Sequence, residues 1–170
     1  MKTSKRTIHT QTMAAAIALL MITASAPTLG ETASPFDGHY TTASLSAQEQ
    51  IAGNLLNSDR MRYSLSPLII DPVLSSIARI KSEDMRDHHY FSHTSPQYGD
   101  VRKMLTQFGY PYEAAGENIA HHATIEKAQA AFLSSPGHRK NILHTGYTKV
   151  GIGVAKDHNG HIYLTQIFAR

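Results

Sequence analysis

The stretch KVGIGVAKDHNGHIYLTQIF, Lys149–Phe168, decides the fold class. Its two halves, KVGIGVA and HIYLTQIF, run with a period of two, as expected of strands. Between them lies KDHNG, whose Asn159-Gly160 suits a tight hairpin turn. Everything upstream with a clear period is helical instead, so the chain joins a set of helices to a closing hairpin and reads as α+β.

Working back from the hairpin, a helix follows Thr124 with Ile125, Ala128 and Phe132 on one face and ends before Pro136. Gly116 to Ala120 reads as a strand. Asp100 caps another helix, whose Val101, Met104, Leu105 and Phe108 fall at i, i+3, i+4 and i+7 until Gly109 stops it. Asp71-Pro72 opens a helix that turns Leu74, Ile77, Ala78 and Met85 inward. Ser46 and Glu49 form a capping-box signature ahead of Ile51, Leu55 and Leu56, which predicts a helix from Ala47 to about Met61. The expected layout is four helices, one strand and the hairpin, with Leu55, Leu74, Ile77, Val101, Leu105, Phe132, Ile152 and Leu164 in the core.

The first thirty residues read differently. Lys2, Lys5 and Arg6 precede the apolar run MAAAIALLMI, Met13–Ile22, and a small-residue segment, Ala24–Ala26, with cleavage expected near 24–30. That is the pattern of a secretory signal peptide, and the run is half as long as a membrane-spanning helix requires. Residues 31–45, rich in Ser, Thr, Ala, Gly and Pro, read as a flexible leader, which leaves 46–170 as the folded domain. The expected localisation is extracytoplasmic, with no transmembrane anchor in the mature chain.

This division alters the charge reading. The signal segment holds three of the sixteen Lys and Arg and none of the thirteen Asp and Glu, so the remainder is formally neutral. A neutral domain gives no footing for a nucleic-acid surface. The chain also has no Cys, so neither a disulfide nor a lipid-modified cysteine is available to it.

Eleven His are dispersed through the chain, with adjacent pairs at His88-His89 and His121-His122. Adjacent side chains on a strand point to opposite faces, so neither pair chelates by itself, and both are expected at solvated ends of elements. His158 and His161 flank the hairpin turn. His93 and His138 stand apart because each lies in a Ser- and Pro-containing break between elements. Glu117 enters a strand as a carboxylate that must find partners if it is buried. From spacing alone, these three are either separate structural residues or one shared cleft.

In order along the chain, LLNSDR, SPLIIDPVLSSIA, DMRDHHYFSHTSP, AGENIA, SSPGHRKNIL, VGIGVA and YLTQIF cover about Leu55 to Phe168. This series resembles the CAP superfamily of SCP-like extracellular proteins (cysteine-rich secretory proteins, antigen 5 and pathogenesis-related 1) in a short, cysteine-free bacterial form. The resemblance implies a three-layer α-β-α sandwich whose central cleft gathers two His and acidic residues, often around zinc. It places His93, Glu117 and His138 in that cleft as binding residues and metal ligands for Zn2+ or another divalent ion. Ser135 stands where many eukaryotic members carry a second cleft glutamate, and Glu126 is expected to be a solvated first-turn residue. If Ser135 and Pro136 start a short helix, its positive end would disfavour protonated His138.

Two function classes follow. Two imidazoles and one carboxylate make a zinc ligand set with a fourth position for water, which would suit a metal-dependent hydrolase on an extracellular substrate. No further base or nucleophile elbow accompanies it, and the favoured class is a secreted binding protein for a lipid, peptide or cell-envelope component.

Overall fold

The computed structural model describes residues 44–170. The expected signal peptide and nearly all of the leader, residues 1–43, lie outside the described residues. The elements are α1 (Ala47–Arg62), β1 (Ile69–Ile70), α2 (Pro72–Asp87), α3 (Val101–Gln107), β2 (Ala115–His122), α4 (Ile125–Ser134), α5 (Pro136–Ile142), β3 (Lys149–Lys156) and β4 (Ile162–Ala169). Four of the helices start where their caps predict: Ser46, Asp71, Asp100 and Thr124 each accept a bond from a backbone N–H in the first turn.

The strands form one sheet in the order β1-β3-β4-β2. β3 and β4 are the predicted hairpin, with Val150 opposite Phe168 and Val154 opposite Leu164. β2 pairs antiparallel with β4, setting Glu117 opposite Ile167 and His121 opposite Tyr163. β1 pairs parallel with β3 over only two residues. Side chains continue that edge: Ser75 Oγ accepts from Ile152 N at 3.0 Å, and Glu49 Oε1 from Val154 N at 3.3 Å.

Helices cover both faces, which gives the three-layer sandwich. One cluster packs Ala52 and Leu56 of α1, Ala128 and Phe132 of α4 and Ile142 of α5 onto Val150, Ile152, Leu164 and Phe168. The opposite cluster packs Leu74, Ile77 and Ala78 of α2 with Met104 and Leu105 of α3 onto Ile167 and Ala169. Every residue of β4 is buried, as a central strand covered twice must be.

The glycines of VGIGVA explain how close α2 comes. A Cβ on Gly153 would lie 2.0 Å from the backbone carbonyl carbon of Ala78, and one on Gly151 2.3 Å from that of Leu74. Only a strand without side chains at these alternate positions lets a helix backbone rest on it.

The structure departs from the expected layout in three ways. α5 is a fifth helix, and β1 joins the sheet although Ile69-Ile70 carries no strand pattern long enough to recognise. Ile51 is 45% exposed, because α1 turns the stripe Glu49, Ala52, Gly53, Leu56 and Arg60 inward instead. Leu55 and Val101 are half-buried, and the other six expected core residues are buried.

Candidate functional site

Glu117 sits on β2, the edge strand, on the sheet face that α2 covers. Its side chain is 3% exposed, and Oε1 lies 2.7 Å from Nδ1 of His93, whose own side chain is 56% exposed. The other oxygen, Oε2, is buried and has no hydrogen-bond partner. A carboxylate held in this way orients the imidazole and leaves its Nε2 free.

His93 is placed by a buried polar network beneath its loop. Lys81 Nζ bonds the His93 carbonyl at 3.2 Å and the Tyr90 hydroxyl at 3.3 Å. Asp84 accepts from the Tyr90 hydroxyl and, at 2.7 Å, from Ser95 Oγ. Burial pushes the Lys81 ammonium below its ordinary pKa, while the charges of Glu117 and Asp84 pull it partly back. The sequence does carry a signal for this lysine: Lys81 falls at i+4 from Ile77, on the inward stripe of α2.

His138 reaches the same edge of β2 from α5. Asn118 Nδ2 donates to its carbonyl at 3.2 Å, and Asn141, one turn further along α5, donates to the Glu117 carbonyl at 3.1 Å and to Asn118 Oδ1 at 2.9 Å. An amide relay fixes Asn118 in turn, running through Gln166 and Gln129 to Asp59 on α1. Buried Arg60 closes the far end of α5 by donating to the carbonyls of Ile142 at 2.6 Å and His144 at 3.0 Å.

The His138 ring packs on Phe132 with centroids 5.1 Å apart. Its pKa is lowered, first by burial and then by the charge of nearby His93. The neutral imidazole is therefore the favoured form at neutral pH.

The structure thus brings His93 and Glu117 into contact, with His138 as an electrostatic neighbour. Ser135 links α4 and α5 without a capping bond from its side chain, and Glu126 is exposed in the first turn of α4, as expected. Among the described residues, the trio whose possible metal-ligand atoms all lie within 4.8 Å of one another is a different one: His121, Asp157 and His161. His121 is exposed near the end of β2, as expected, and there it also meets Asp157 at 3.0 Å. The usable signal was the register of β2 against β4, which no local pattern reveals.

No helix among the described residues is long and apolar enough to cross a membrane. Residues 54–168 match the family model described as CAP, cysteine-rich secretory protein family. The chain is 43% identical over 129 residues to YkwD of Bacillus subtilis strain 168, covering 75% of this chain but 49% of that protein, so it spans about half the length of this relative. It superposes on an extracellular SCP-domain protein of Bacillus anthracis with a TM-score of 0.67 at 36% identity, covering 72% of this chain and 40% of that one. An outer surface protein of Borrelia burgdorferi shares the fold, with a TM-score of 0.65 at 19% identity over 71% of this chain and 90% of that one.

Proposed function

The chain belongs to the cysteine-rich secretory protein (CAP) family, and from that premise we propose that it is an exported binding protein whose cleft is built by His93, Glu117 and His138. The signal-peptide pattern supports export, as do neighbours described as extracellular or outer-surface proteins. The observation that carries the cleft is the Glu117 carboxylate: almost fully buried, bound to His93 through one oxygen and unpartnered at the other. A fold accepts a buried acceptor without a donor at a cost of about 1–3 kcal/mol, which is understandable where a ligand or ion completes it.

The donor set fits a divalent metal. His93 offers Nε2, His138 is kept neutral, and Glu117 can act as a ligand or as the carboxylate that orients a ligating histidine. The exposed His93 side chain has freedom to adjust toward the other two. A zinc ion held there would supply a Lewis-acidic anchor for an anionic or carbonyl group of the bound molecule. The ligand class is a lipid, a peptide or a cell-envelope component.

The test incubates the untagged chain and its Glu117→Gln and His138→Gln variants with lipid and peptide pools, then identifies bound and altered molecules by mass spectrometry. The proposal expects material recovered intact from the parent and depleted about tenfold or more in the variants, roughly 1.4 kcal/mol of binding. Altered molecules that require His138 would favour the metal-dependent hydrolase instead. Equal recovery from all three proteins would overturn the cleft.

A further inference from the structure

At the other end of β2 the hairpin tip builds a second arrangement of donors. The turn binds Asp157 and His161 to each other twice: Asp157 N donates to the His161 carbonyl at 2.8 Å, and His161 N donates to Asp157 Oδ1 at 2.9 Å. Asn159 N also donates to Oδ1 at 2.9 Å, and Gly160 takes the positive φ of 83° that closes the turn. One carboxylate oxygen is thereby spent on the backbone. The remaining oxygen, Oδ2, is aimed across the strands at Nε2 of His121, 3.0 Å away.

His121 is held from the side as well. Its ring stacks on Tyr163, its cross-strand partner, with centroids 4.1 Å apart and planes 14° from parallel. The His161 ring meets it edge-on with centroids 5.7 Å apart. Two imidazoles and one oriented carboxylate therefore converge from β2, β4's approach and the turn, with ligand atoms all within 4.8 Å. Both histidines are exposed and Asp157 is half-buried, so an ion can reach the donors from solvent. Arg86, on the wall of the same depression, is paired with Asp87 at 2.6 Å.

We propose that His121, Asp157 and His161 form a site for a divalent transition-metal ion of the zinc class, separate from the cleft. Ligand atoms about 2.0–2.2 Å from a tetrahedral zinc lie roughly 3–4 Å apart, and the His121–Asp157 distance of 3.0 Å already approaches that spacing. Two nitrogen donors with one oxygen suit Zn2+, Cu2+ or Ni2+ rather than Ca2+ or Mg2+, which take oxygen ligands. The half-ordered carboxylate is what separates this arrangement from an ordinary exposed His–Asp pair: its orientation is set before any ion arrives, and a third donor stands beside it. Glu117 and His121 are four residues apart on one strand, about 13 Å, so one ion cannot serve both ends.

The test titrates the untagged full chain with Zn2+ by calorimetry and with Co2+ by visible absorption, beside His121→Gln, His161→Gln and the cleft double variant His93→Gln/His138→Gln. The hairpin substitutions are at exposed positions, and circular dichroism checks that each variant is folded. The proposal expects each hairpin variant to lose about tenfold or more in Zn2+ affinity at one site, with the Co2+ spectrum of that site lost, while the cleft variant keeps it. Zn2+ binding in both hairpin variants equal to the parent's would overturn the hairpin site whatever the cleft does. Loss of all Zn2+ binding in the cleft variant alone would overturn it too, and would leave the cleft reading standing.

Discussion

Toward α1, α4 and α5 the sheet presents Val150, Ile152, Ile162, Leu164, Gln166 and Phe168; toward α2 and α3 it presents Gly151, Gly153, Ala155, Thr165, Ile167 and Ala169. On the first face large apolar side chains fill most of the space between layers, and the polar side chains buried there, Asn118, Gln166, Gln129 and Asp59, are bonded to one another. On the second, small residues bring the α2 backbone down to the strands, where hydroxyls cross the gap: Ser82 Oγ lies 2.8 Å from Thr165 Oγ1 and donates to the Gly153 carbonyl at 2.9 Å. The difference shows how one sheet supports both a core and a site. Bulk on one face confines polar groups to a closed relay of amides ending on Asp59, whereas close approach on the other lets Lys81 and Asp84 of α2 join the buried network under the His93 loop, with the Lys81 charge near Glu117.

The contrast is broken most severely by giving the second face a side chain. Gly153→Ala places a methyl group against the backbone of Ala78 and Arg79, which cannot swing aside. The expected loss is about 3 kcal/mol or more of unfolding free energy, at the upper end of overpacking costs, read by urea denaturation. A loss under about 1 kcal/mol would show that α2 can lift from the strand freely.

A smaller effect is expected where the two layers are tied around the β3 edge. Glu49 of α1 is buried and accepts from Arg79 of α2 at 2.7 and 2.6 Å, from Ser46 N at 2.8 Å and from Val154 N at 3.3 Å. Burial pushes its carboxyl up, but the bonds and charge of Arg79 and the bond from Ser46 outweigh this and leave its pKa lowered. Glu49→Gln should cost about 2–3 kcal/mol, somewhat under the usual penalty for breaking a buried pair because Arg79 keeps 21% exposure and can turn to water. An unchanged denaturation midpoint would mean that the tie is incidental.

The smallest effect sharpens the comparison at the site itself. His138 has a folded pKa below the ordinary 6.5, so on acidification the unfolded chain takes up that proton first. Its contribution to stability is present above about pH 6.5 and is lost as pH falls toward the folded pKa. Unfolding measured from about pH 7.5 down to pH 5 should fall less steeply for His138→Gln than for the parent. Identical slopes would show that the ring is as solvated folded as unfolded.

Much of this was legible from residue order. Helix starts at Ser46, Asp71, Asp100 and Thr124, the hairpin around Asn159-Gly160 and the apolar stripes of α2 and α3 all follow from groups within one or two turns of each other. The candidacy of Glu117 was legible too, as a carboxylate inside a strand. Its partner was supplied by resemblance, because His93 lies 24 residues away and no local rule joins them. The inward lysine of α2 is readable from its spacing, four residues after Ile77 and four before Met85 on the buried stripe. His121, Asp157 and His161 could not have been grouped without the register of β2 on β4, which pairs strands separated by two helices, β3 and the hairpin turn.

The sequence by itself therefore determined four of the five helices with their caps, β2, the closing hairpin and the family to which the chain belongs, since each rests on near neighbours or on an ordered series of motifs. Only the tertiary structure decided which face of α1 is buried, that Glu117 keeps one bare oxygen, and that a histidine from an edge strand meets the hairpin turn. The reason is physical: burial and cross-strand register depend on what distant segments place opposite a residue, and that information is absent from its surroundings in the chain.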